Sequence, residues 1–161
     1  MFAESYRVGI LGDTHGDQIS VGAALQKCGC VEAIIHVGDY YRDGEALAHR
    51  LGIPVIAVVG NCDARRQPER ELIELGGKRF FVTHGHLQGV KQGVGNLVRE
   101  AKLHRADIAV FGHTHVPTVF SQQGILFVNP GSTHAGRRGA TRSCALLVIA
   151  GGEVHVSHFS L

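Results

Sequence analysis

The residues of this sequence that could do chemistry fall in five short segments, each with glycine beside Asp, Asn or His. In chain order the segments read GDTHG, HVGD, GNCD, THGH and GHTH. Imidazole nitrogens together with carboxylate and amide oxygens are the ligand set of Mn²⁺, Fe, Co, Ni and Zn. Because thiolates are almost absent from the segments, a zinc finger and an iron–sulfur cluster are both disfavoured. The segments therefore predict a metal centre with nitrogen and oxygen ligands.

The spacing within the segments suggests how many ions are bound. Alternate residues of an extended turn can face the same way, so Asp13 can act with His15, and His113 with His115. One such pair alone is more often a surface coincidence or a buried structural histidine. The ordered set of five is far less easily explained by chance. About seven ligands exceed the need of a single ion, whereas two ions sharing a bridging carboxylate would use them all.

The first half of the chain must bring three of these segments together. Apolar runs predict strands at 7–11, 33–37 and 55–59, and helical patterns predict helices at 18–27 and 45–51. In the first helix Ile19, Ala23 and Leu25 are expected to face inward. The β-α-β-α-β order favours a parallel sheet, in which the carboxyl ends of the strands share the edge where ligands bind. We therefore expect the segments to converge on one pocket.

The second half is expected to be mostly antiparallel. Strand-like segments at 71–75 and 79–83 flank Gly76-Gly77, which is a hairpin signal, and a helix is predicted at 96–104. The remaining predicted strands lie at 108–111, 118–121, 125–128, 143–149 and 153–159. No repeat, linker or low-complexity tract is visible, so a single domain is expected over residues 1–161.

The composition excludes several classes of protein. Of 161 residues, 44% are hydrophobic and 19% charged, which rules out intrinsic disorder and a coiled coil. A net charge of +2 implies neither a nucleic-acid partner nor a membrane surface. No apolar run reaches the about 18 residues of a membrane span and no signal peptide is recognisable, so a cytoplasmic location is expected. The four cysteines are expected to be free thiols.

In this order the segments resemble the motifs of the calcineurin-like metallophosphoesterases: D-x-H, G-D, G-N-H-[DE], a histidine and G-H-x-H. The likeness spans residues 12–115 and continues in residues 128–132, VNPGS, a segment typical of the small stand-alone bacterial and archaeal phosphodiesterases of that superfamily. The resemblance implies an α/β fold, a four-layer α-β-β-α sandwich of two mixed sheets flanked by helices. It also implies a phosphoesterase with a dinuclear site, where a metal-bridging hydroxide attacks phosphorus in line.

Carried over motif by motif, the resemblance assigns roles to seven positions. Asp39 would bridge the two metals. One metal would be held by Asp13, His15 and His115, and the other by Asn61, His84 and His113. Mn²⁺ is the expected ion because the ligands mix nitrogen and oxygen, and Fe, Co, Ni and Zn remain open.

Cys62 lies where the superfamily has a histidine that is thought to orient the phosphate or protonate the leaving oxygen. A cysteine can donate a proton but cannot carry the same positive charge. Asp39, Asn61 and Cys62 are predicted to be catalytic, and Asn61, Cys62 and His86 to contact substrate. His86 could be the general acid, although a partly exposed turn histidine explains it equally well. Hydrolysis is expected to be fastest for esters whose leaving group needs little protonation, such as aryl diesters, while cyclic nucleotides, nucleotide monoesters and glycerophosphodiesters stay open as substrates.

Three other functions compete with that of a phosphodiesterase. A phosphomonoesterase stays open, as does a non-catalytic scaffold on the same fold, which the retromer scaffold subunit exemplifies with its degraded metal site. A metal-stabilised structural domain would not need an open coordination position. Because all seven ligand positions are intact, an enzyme acting on a small phosphate ester is favoured, and a homo-oligomer is possible. Arg42, Arg137 and Arg138 could reach phosphate or merely be solvated, and His36 is expected to be structural.

Overall fold

A computed structural model of the chain describes residues 4–64 and 66–161, in which ten strands and three helices are found. In chain order the elements are β1 (Ser5–Leu11), α1 (Gln18–Cys28), β2 (Ala33–His36), α2 (Tyr41–Leu51), β3 (Val55–Ala57), β4 (Arg70–Leu75), β5 (Lys78–Thr83), α3 (Gly95–Leu103), β6 (Ile108–Val110), β7 (Thr118–Gln122), β8 (Ile125–Asn129), β9 (Ser143–Ala150) and β10 (Glu153–Ser160). Each predicted strand and helix is present, with ends that differ by one or two residues except at the start of α2.

The first sheet combines the two ends of the chain. Its order is β10-β9-β1-β2-β3, with β1, β2 and β3 parallel and with β9 antiparallel to both β1 and β10. The helices α1 and α2 are the crossovers between the parallel strands. This confirms the β-α-β-α-β interpretation and places the carboxyl ends of three strands at one edge.

The second sheet has the order β4-β5-β6-β8-β7 and is less antiparallel than predicted at its centre. The pairs β4–β5 and β7–β8 are antiparallel, whereas β5–β6 and β6–β8 are parallel. The β4–β5 hairpin turns at Gly76 and Gly77, whose φ angles of 56° and 79° lie in the left-handed region that glycine adopts easily. Since β5 and β6 run parallel, their carboxyl ends lie side by side.

Successive residues of the central strands bury opposite faces of the two sheets, because side chains alternate along a strand. Ile35 and Phe80 lie in the apolar layer between the sheets. Their neighbours face outward: Ile34 packs with Leu47 of α2, and Phe81 packs in the cluster that includes α3. The result is a four-layer α-β-β-α sandwich of two mixed sheets, as the sequence motifs implied.

The buried face of α1 differs from the predicted one. Val21, Ala24 and Cys28 face the first sheet, whereas Ile19 is 87% exposed. Small residues at this three- and four-residue spacing let the helix lie close to β1 and β9, where the Cys144 thiol contacts the Ala24 carbonyl. Of the predicted inward residues, Leu25 does pack against this core, whereas the prediction for Ile19 is wrong.

The helix α2 begins at Tyr41, four residues earlier than predicted. Arg42, which could reach phosphate or merely be solvated, lies in the first turn of this helix. The carboxylate of Asp63 accepts hydrogen bonds from the Tyr40 and Tyr41 amides, both at 2.9 Å, and so satisfies donors that a helix start leaves open. Because this cap comes from a residue 22 positions away, the local sequence does not reveal it.

Two further expectations can be compared with the structure. All four cysteines, Cys28, Cys30, Cys62 and Cys144, are free thiols in the structure. In the described part of the chain, no helix has the length and the apolar character needed to cross a bilayer.

Candidate metal centre

The five polar segments converge at one edge of the sandwich. Asp13, Asp39 and Asn61 follow β1, β2 and β3 of the first sheet, while His84 and the pair His113 and His115 follow β5 and β6 of the second. Asp13, His15, Asp39 and His115 each offer a ligand atom, and these four atoms all lie within 4.8 Å of one another. The structure therefore brings together the residues assigned to one metal and the residue assigned as the bridge.

The other three predicted ligands adjoin this cluster. The amide oxygen of Asn61 lies 3.1 Å from His84 Nε2, and the His113 ring centroid lies 5.0 Å from that of His84. His84 Nε2 in turn lies 3.6 Å from Asp39 Oδ2 and 3.7 Å from Asp13 Oδ1. All seven predicted positions thus share one site.

The arrangement of lone pairs shows that this site suits a cation. His84 Nδ1 lies 2.7 Å from the carbonyl of Val37, so Nδ1 carries the proton and Nε2 is free to act as a ligand. Asp13 Oδ1 is fully buried without a hydrogen bond and lies 3.1 Å from His115 Nε2. Two ligands at about 2.1 Å from one ion lie roughly 3.0–3.4 Å apart. The donor set and these separations fit a divalent metal.

The backbone at the site is strained. Five of the predicted ligands have φ in the left-handed region: Asp13 (49°), His15 (47°), Asp39 (54°), His113 (72°) and His115 (59°). For residues other than glycine this conformation costs about 1–2 kcal/mol each. Such strain persists only where surrounding contacts impose it, and it concentrates at functional sites.

Asp39 and its glycine neighbours are packed so tightly that no side chain could be added. A methyl group on Gly60 would lie 2.0 Å from Asp39 Oδ1. The same oxygen accepts a hydrogen bond of 3.0 Å from the Cys62 amide, whereas Oδ2 lies near the His15 and His84 rings. Asp63 holds this turn from the other side, since its Oδ2 accepts the Gly60 amide at 2.9 Å. No role was predicted for Asp63, although its place in the GNCD segment, beside two predicted site residues, could have indicated one.

Burial keeps His113 neutral. Burial first, and then the charges of His84 and Lys91, lower the pKa of His113 to about 4. A neutral imidazole is the form that binds a metal. The pKa of Asp13 is also lowered: burial alone would raise it, but the electrostatic effect of the neighbouring His115 and His84 rings and the His113 amide outweighs burial. Both groups are thus in ligand form at neutral pH.

Two further histidines have rings near the predicted ligands, one of them predicted from the sequence and the other not. His86, predicted to contact substrate, has its ring centroid 5.3 Å from that of His84 and 6.1 Å from that of His113. His134 was given no role, yet its ring centroid lies 5.6 Å from that of His15, and its Nδ1 lies 3.2 Å from Asp17 Oδ2. No motif spacing points to His134, because the loop that carries it reaches the site from the far end of the chain.

Beneath the ligands, a buried chain of hydrogen bonds joins the two loops that follow β1 and β2. His36 Nδ1 accepts the Gly38 amide at 3.2 Å, so Nε2 carries the proton and donates to Thr14 Oγ1 at 3.0 Å. The Thr14 hydroxyl donates to Asp43 Oδ2. Burial is the main reason that the pKa of His36 is lowered to about 4. The chain therefore requires a neutral His36, which has the structural role expected of it.

This burial predicts an acid-sensitive fold. In the unfolded chain His36 binds a proton near pH 6.5, whereas in the folded protein this side chain stays neutral down to about pH 4. The free energy of unfolding should therefore fall as the pH drops from 6.5 to 4, by roughly 3 kcal/mol from this residue. Urea unfolding of the metal-free protein and of its His36→Asn variant, at several pH values in this range, measures this fall in the free energy of unfolding. The variant keeps an acceptor for the Gly38 amide. Its free energy of unfolding should lack the part of the pH dependence that comes from His36. Parallel pH curves for the two proteins would contradict the assignment.

Comparison with known proteins settles the family. Residues 6–152 match the family model described as the calcineurin-like phosphoesterase superfamily domain. The chain belongs to this superfamily. It is 33% identical over 142 residues to the probable metallophosphoesterase YsnB of Bacillus subtilis, covering 87% of this chain and 82% of that protein. It is also 28% identical over 147 residues to the phosphodiesterase MJ0936 of Methanocaldococcus jannaschii, covering 78% and 82%.

Solved structures of the superfamily share the fold. A predicted phosphoesterase from Streptococcus pneumoniae superposes with a TM-score of 0.84 at 29% identity, covering 98% of this chain and 90% of the other. Vacuolar protein sorting 29 from Cryptosporidium parvum superposes with a TM-score of 0.74 at 20% identity, covering the whole of both chains. The second likeness concerns the fold alone. The predicted resemblance and the predicted class of enzyme, a hydrolase of phosphoric esters, are confirmed by the superfamily and its members.

Proposed function

We propose that this superfamily member is a phosphodiesterase that works with two divalent ions, Mn²⁺ before the others, on small phosphate esters in the cytoplasm. The observation that carries the proposal is the position of Asp39. Its Oδ2 lies 3.9 Å from His15 Nε2, a ligand proposed for one ion, and 3.6 Å from His84 Nε2, a ligand proposed for the other. A carboxylate oxygen between two sets of ligands is what a shared site requires.

Each proposed ligand has a contact that fixes its orientation. The Val37 carbonyl fixes the tautomer of His84, and the His113 amide donates to Asp13 Oδ2 at 3.2 Å. The Asn61 amide group donates to Cys62 Sγ at 3.6 Å, which turns its oxygen toward His84. Two divalent ions held by these residues would supply Lewis-acid polarisation of the phosphate oxygens and would make a bound water more acidic. The protein supplies two carboxylates against four metal charges, and the remaining positive charge attracts a phosphate ester.

Cys62 supplies a neutral thiol at the mouth of the site. Burial and the charge of Asp39 raise the pKa of this thiol, so it stays protonated at neutral pH. An uncharged donor can assist a departing oxygen only weakly, and it adds no positive charge beside the phosphate. We therefore infer that the enzyme is suited to leaving groups that are stable as anions, such as phenolates.

The leaving-group preference gives a direct prediction for Cys62→Ala. Removing a weak donor should lower kcat for bis-p-nitrophenyl phosphate by less than about tenfold, whereas removing a metal ligand should cost orders of magnitude. Steady-state rates on bis-p-nitrophenyl phosphate and on a dialkyl phosphate, whose alkoxide leaving group needs protonation, measure this. Equal loss of activity in Cys62→Ala and in His84→Ala would show that the thiol does more than assist the leaving group.

The proposed function is tested by metal removal. Protein stripped with a chelator should be inactive on bis-p-nitrophenyl phosphate, and activity should appear on titration with Mn²⁺ and saturate near two ions per chain. The monoester p-nitrophenyl phosphate should be hydrolysed more slowly. Saturation at one ion would refute the dinuclear site, and a faster monoester would make the protein a phosphomonoesterase. Inactivity of folded, metal-loaded protein on both esters would instead favour a scaffold.

A further inference from the structure

A cavity beside the metal centre is lined by apolar and basic side chains, which metal binding does not explain. Its volume is about 380 Å³, and it lies against the loop that carries His113 and His115. Thr114, between these two histidines, lines the cavity. Arg137, another lining residue, is joined to the same loop, because its amide donates to the His115 carbonyl at 3.3 Å. The cavity and the metal centre are therefore two sides of one loop.

The lining combines apolar and aromatic surface. Five apolar side chains contribute: Val90, Val94, Phe111, Val116 and Phe120. One face of the Phe120 ring stacks on Phe127, with centroids 4.8 Å apart and ring planes 5° from parallel. Phe120 also meets Phe111 edge to face at 6.4 Å. Phe120 is nevertheless only half-buried, so aromatic surface remains free toward the cavity.

Three cations, Lys91, Arg137 and Arg138, line the same cavity, and no acidic side chain does so. We call it the basic–apolar cavity. All three side chains are exposed, and none forms a salt bridge among the residues that the structure describes. Lys91 is close enough to the metal centre for its charge to act on His113. Positive charge beside apolar surface, without a partner carboxylate, is complementary to an aromatic anion.

A second cavity on the other side of the centre serves as a contrast. It measures about 340 Å³ and is lined by Cys62 and by α2. Its single cation, Arg42, is accompanied by two acidic residues, Glu45 and Asp63. The acidic side chains outnumber the cation there, so that cavity has no excess of positive charge to bind an anion.

We propose that the basic–apolar cavity binds one organic group of the substrate, an aromatic ring system that carries its own negative charge. This inference rests on the proposed function and narrows its substrate class. A volume near the lower end of the range for small-molecule sites, about 300–1,000 Å³, suits a ring system of this kind and not a polymer. The apolar residues take the ring, and the lysine and arginines bind its charged substituent.

A series of diesters with one leaving group tests the substrate class. Each has p-nitrophenolate as leaving group, and the other ester group is methyl, 2-naphthyl or 6-carboxy-2-naphthyl. We expect kcat/KM to rise along this series, mainly through KM. Arg138→Gln should lower the ratio of kcat/KM between the carboxylated and the plain naphthyl ester about tenfold, as for the loss of one charge-assisted contact. Arg50→Gln, at the exposed end of α2, is the matched control and should keep the ratio of the unaltered protein.

A binding measurement on metal-free protein separates this inference from catalysis. 8-Anilinonaphthalene-1-sulfonate, a fluorescent aromatic anion, should bind at one saturable site. Arg138→Gln should weaken that binding about tenfold, and Val94→Trp, which fills the cavity without removing a charge, should abolish it. The inference is overturned if the probe binds all variants with the same affinity, or if Arg138→Gln leaves the ratio of kcat/KM between the two naphthyl esters unchanged. The phosphodiesterase proposal survives either result. If no ester is hydrolysed, the proposed function and the assignment of the cavity to substrate both fall, whatever the probe does.

Discussion

Asp39→Asn should lower kcat/KM for bis-p-nitrophenyl phosphate by about a thousandfold or more, because it removes the only charge proposed to serve both ions. The substitution keeps the shape of the side chain. The new amide can still accept the hydrogen bond that Asp39 Oδ1 accepts from the Cys62 amide at 3.0 Å, so the turn should keep its conformation. The loss should therefore come from charge and not from unfolding.

The control for this variant is the same change far from the site. Asp107 precedes β6 at its amino end, opposite the metal centre, and accepts the Arg79 amide at 2.8 Å. Asp107→Asn should leave turnover and metal content at normal values. Metal analysis of the Asp39 variant should show fewer than two Mn²⁺ per chain under conditions that load the unaltered protein with two. Two tightly bound ions and near-normal turnover in Asp39→Asn would mean that another group bridges the ions.

Gly60→Ala should inactivate the enzyme although glycine has no side chain to contribute. The added carbon would lie 2.0 Å from Asp39 Oδ1 and 2.6 Å from the Asp39 backbone nitrogen. The backbone atom cannot rotate away, so the whole turn that presents the carboxylate must shift. A displacement of about 1 Å at a reacting centre can cost about a hundredfold in rate, and overpacking of this kind costs about 1–3 kcal/mol of stability. Turnover measures the loss of rate, urea unfolding measures the loss of stability, and metal analysis shows whether the shifted turn still binds metal.

A matched glycine shows the opposite behaviour. Gly22 lies within α1, and apart from its chain neighbours and the backbone of the helix itself no described atom lies within 4 Å of where its added carbon would be. Gly22→Ala should raise the free energy of unfolding by about 0.5–1 kcal/mol through helix propensity, with unchanged turnover. If both variants behaved alike, the contact between Gly60 and Asp39 would have no special importance.

The sequence predicted which residues converge, but not how their backbones are held. Ligand-type side chains at the ends of apolar runs were enough to locate the site, because parallel strands share an edge. The left-handed conformations of Asp13 and His115 could not be foreseen, since neither is glycine and the strain is imposed by tertiary contacts. The bonds from His36 through Thr14 to Asp43 were equally hidden, because they join residues 22 and 29 positions apart.

Two local predictions failed for the same physical reason. The burial of Val21 in place of Ile19 depends on how closely α1 can approach β9, and β9 is formed more than 100 residues later. The early start of α2 depends on a carboxylate supplied by Asp63. Periodicity and propensity describe a segment by itself, whereas these features belong to the surface on which the segment packs.

The pairing of β1 with β9 has a consequence for synthesis on the ribosome. β1 is made before β9, and the edge that β9 covers stays open until residues 143–150 have been made. The loops that provide Asp13 and His115 are likewise separated by about a hundred residues of translation, and an unpaired strand edge is prone to association meanwhile. A metal centre that uses both loops could therefore form only after the chain has been made through His115.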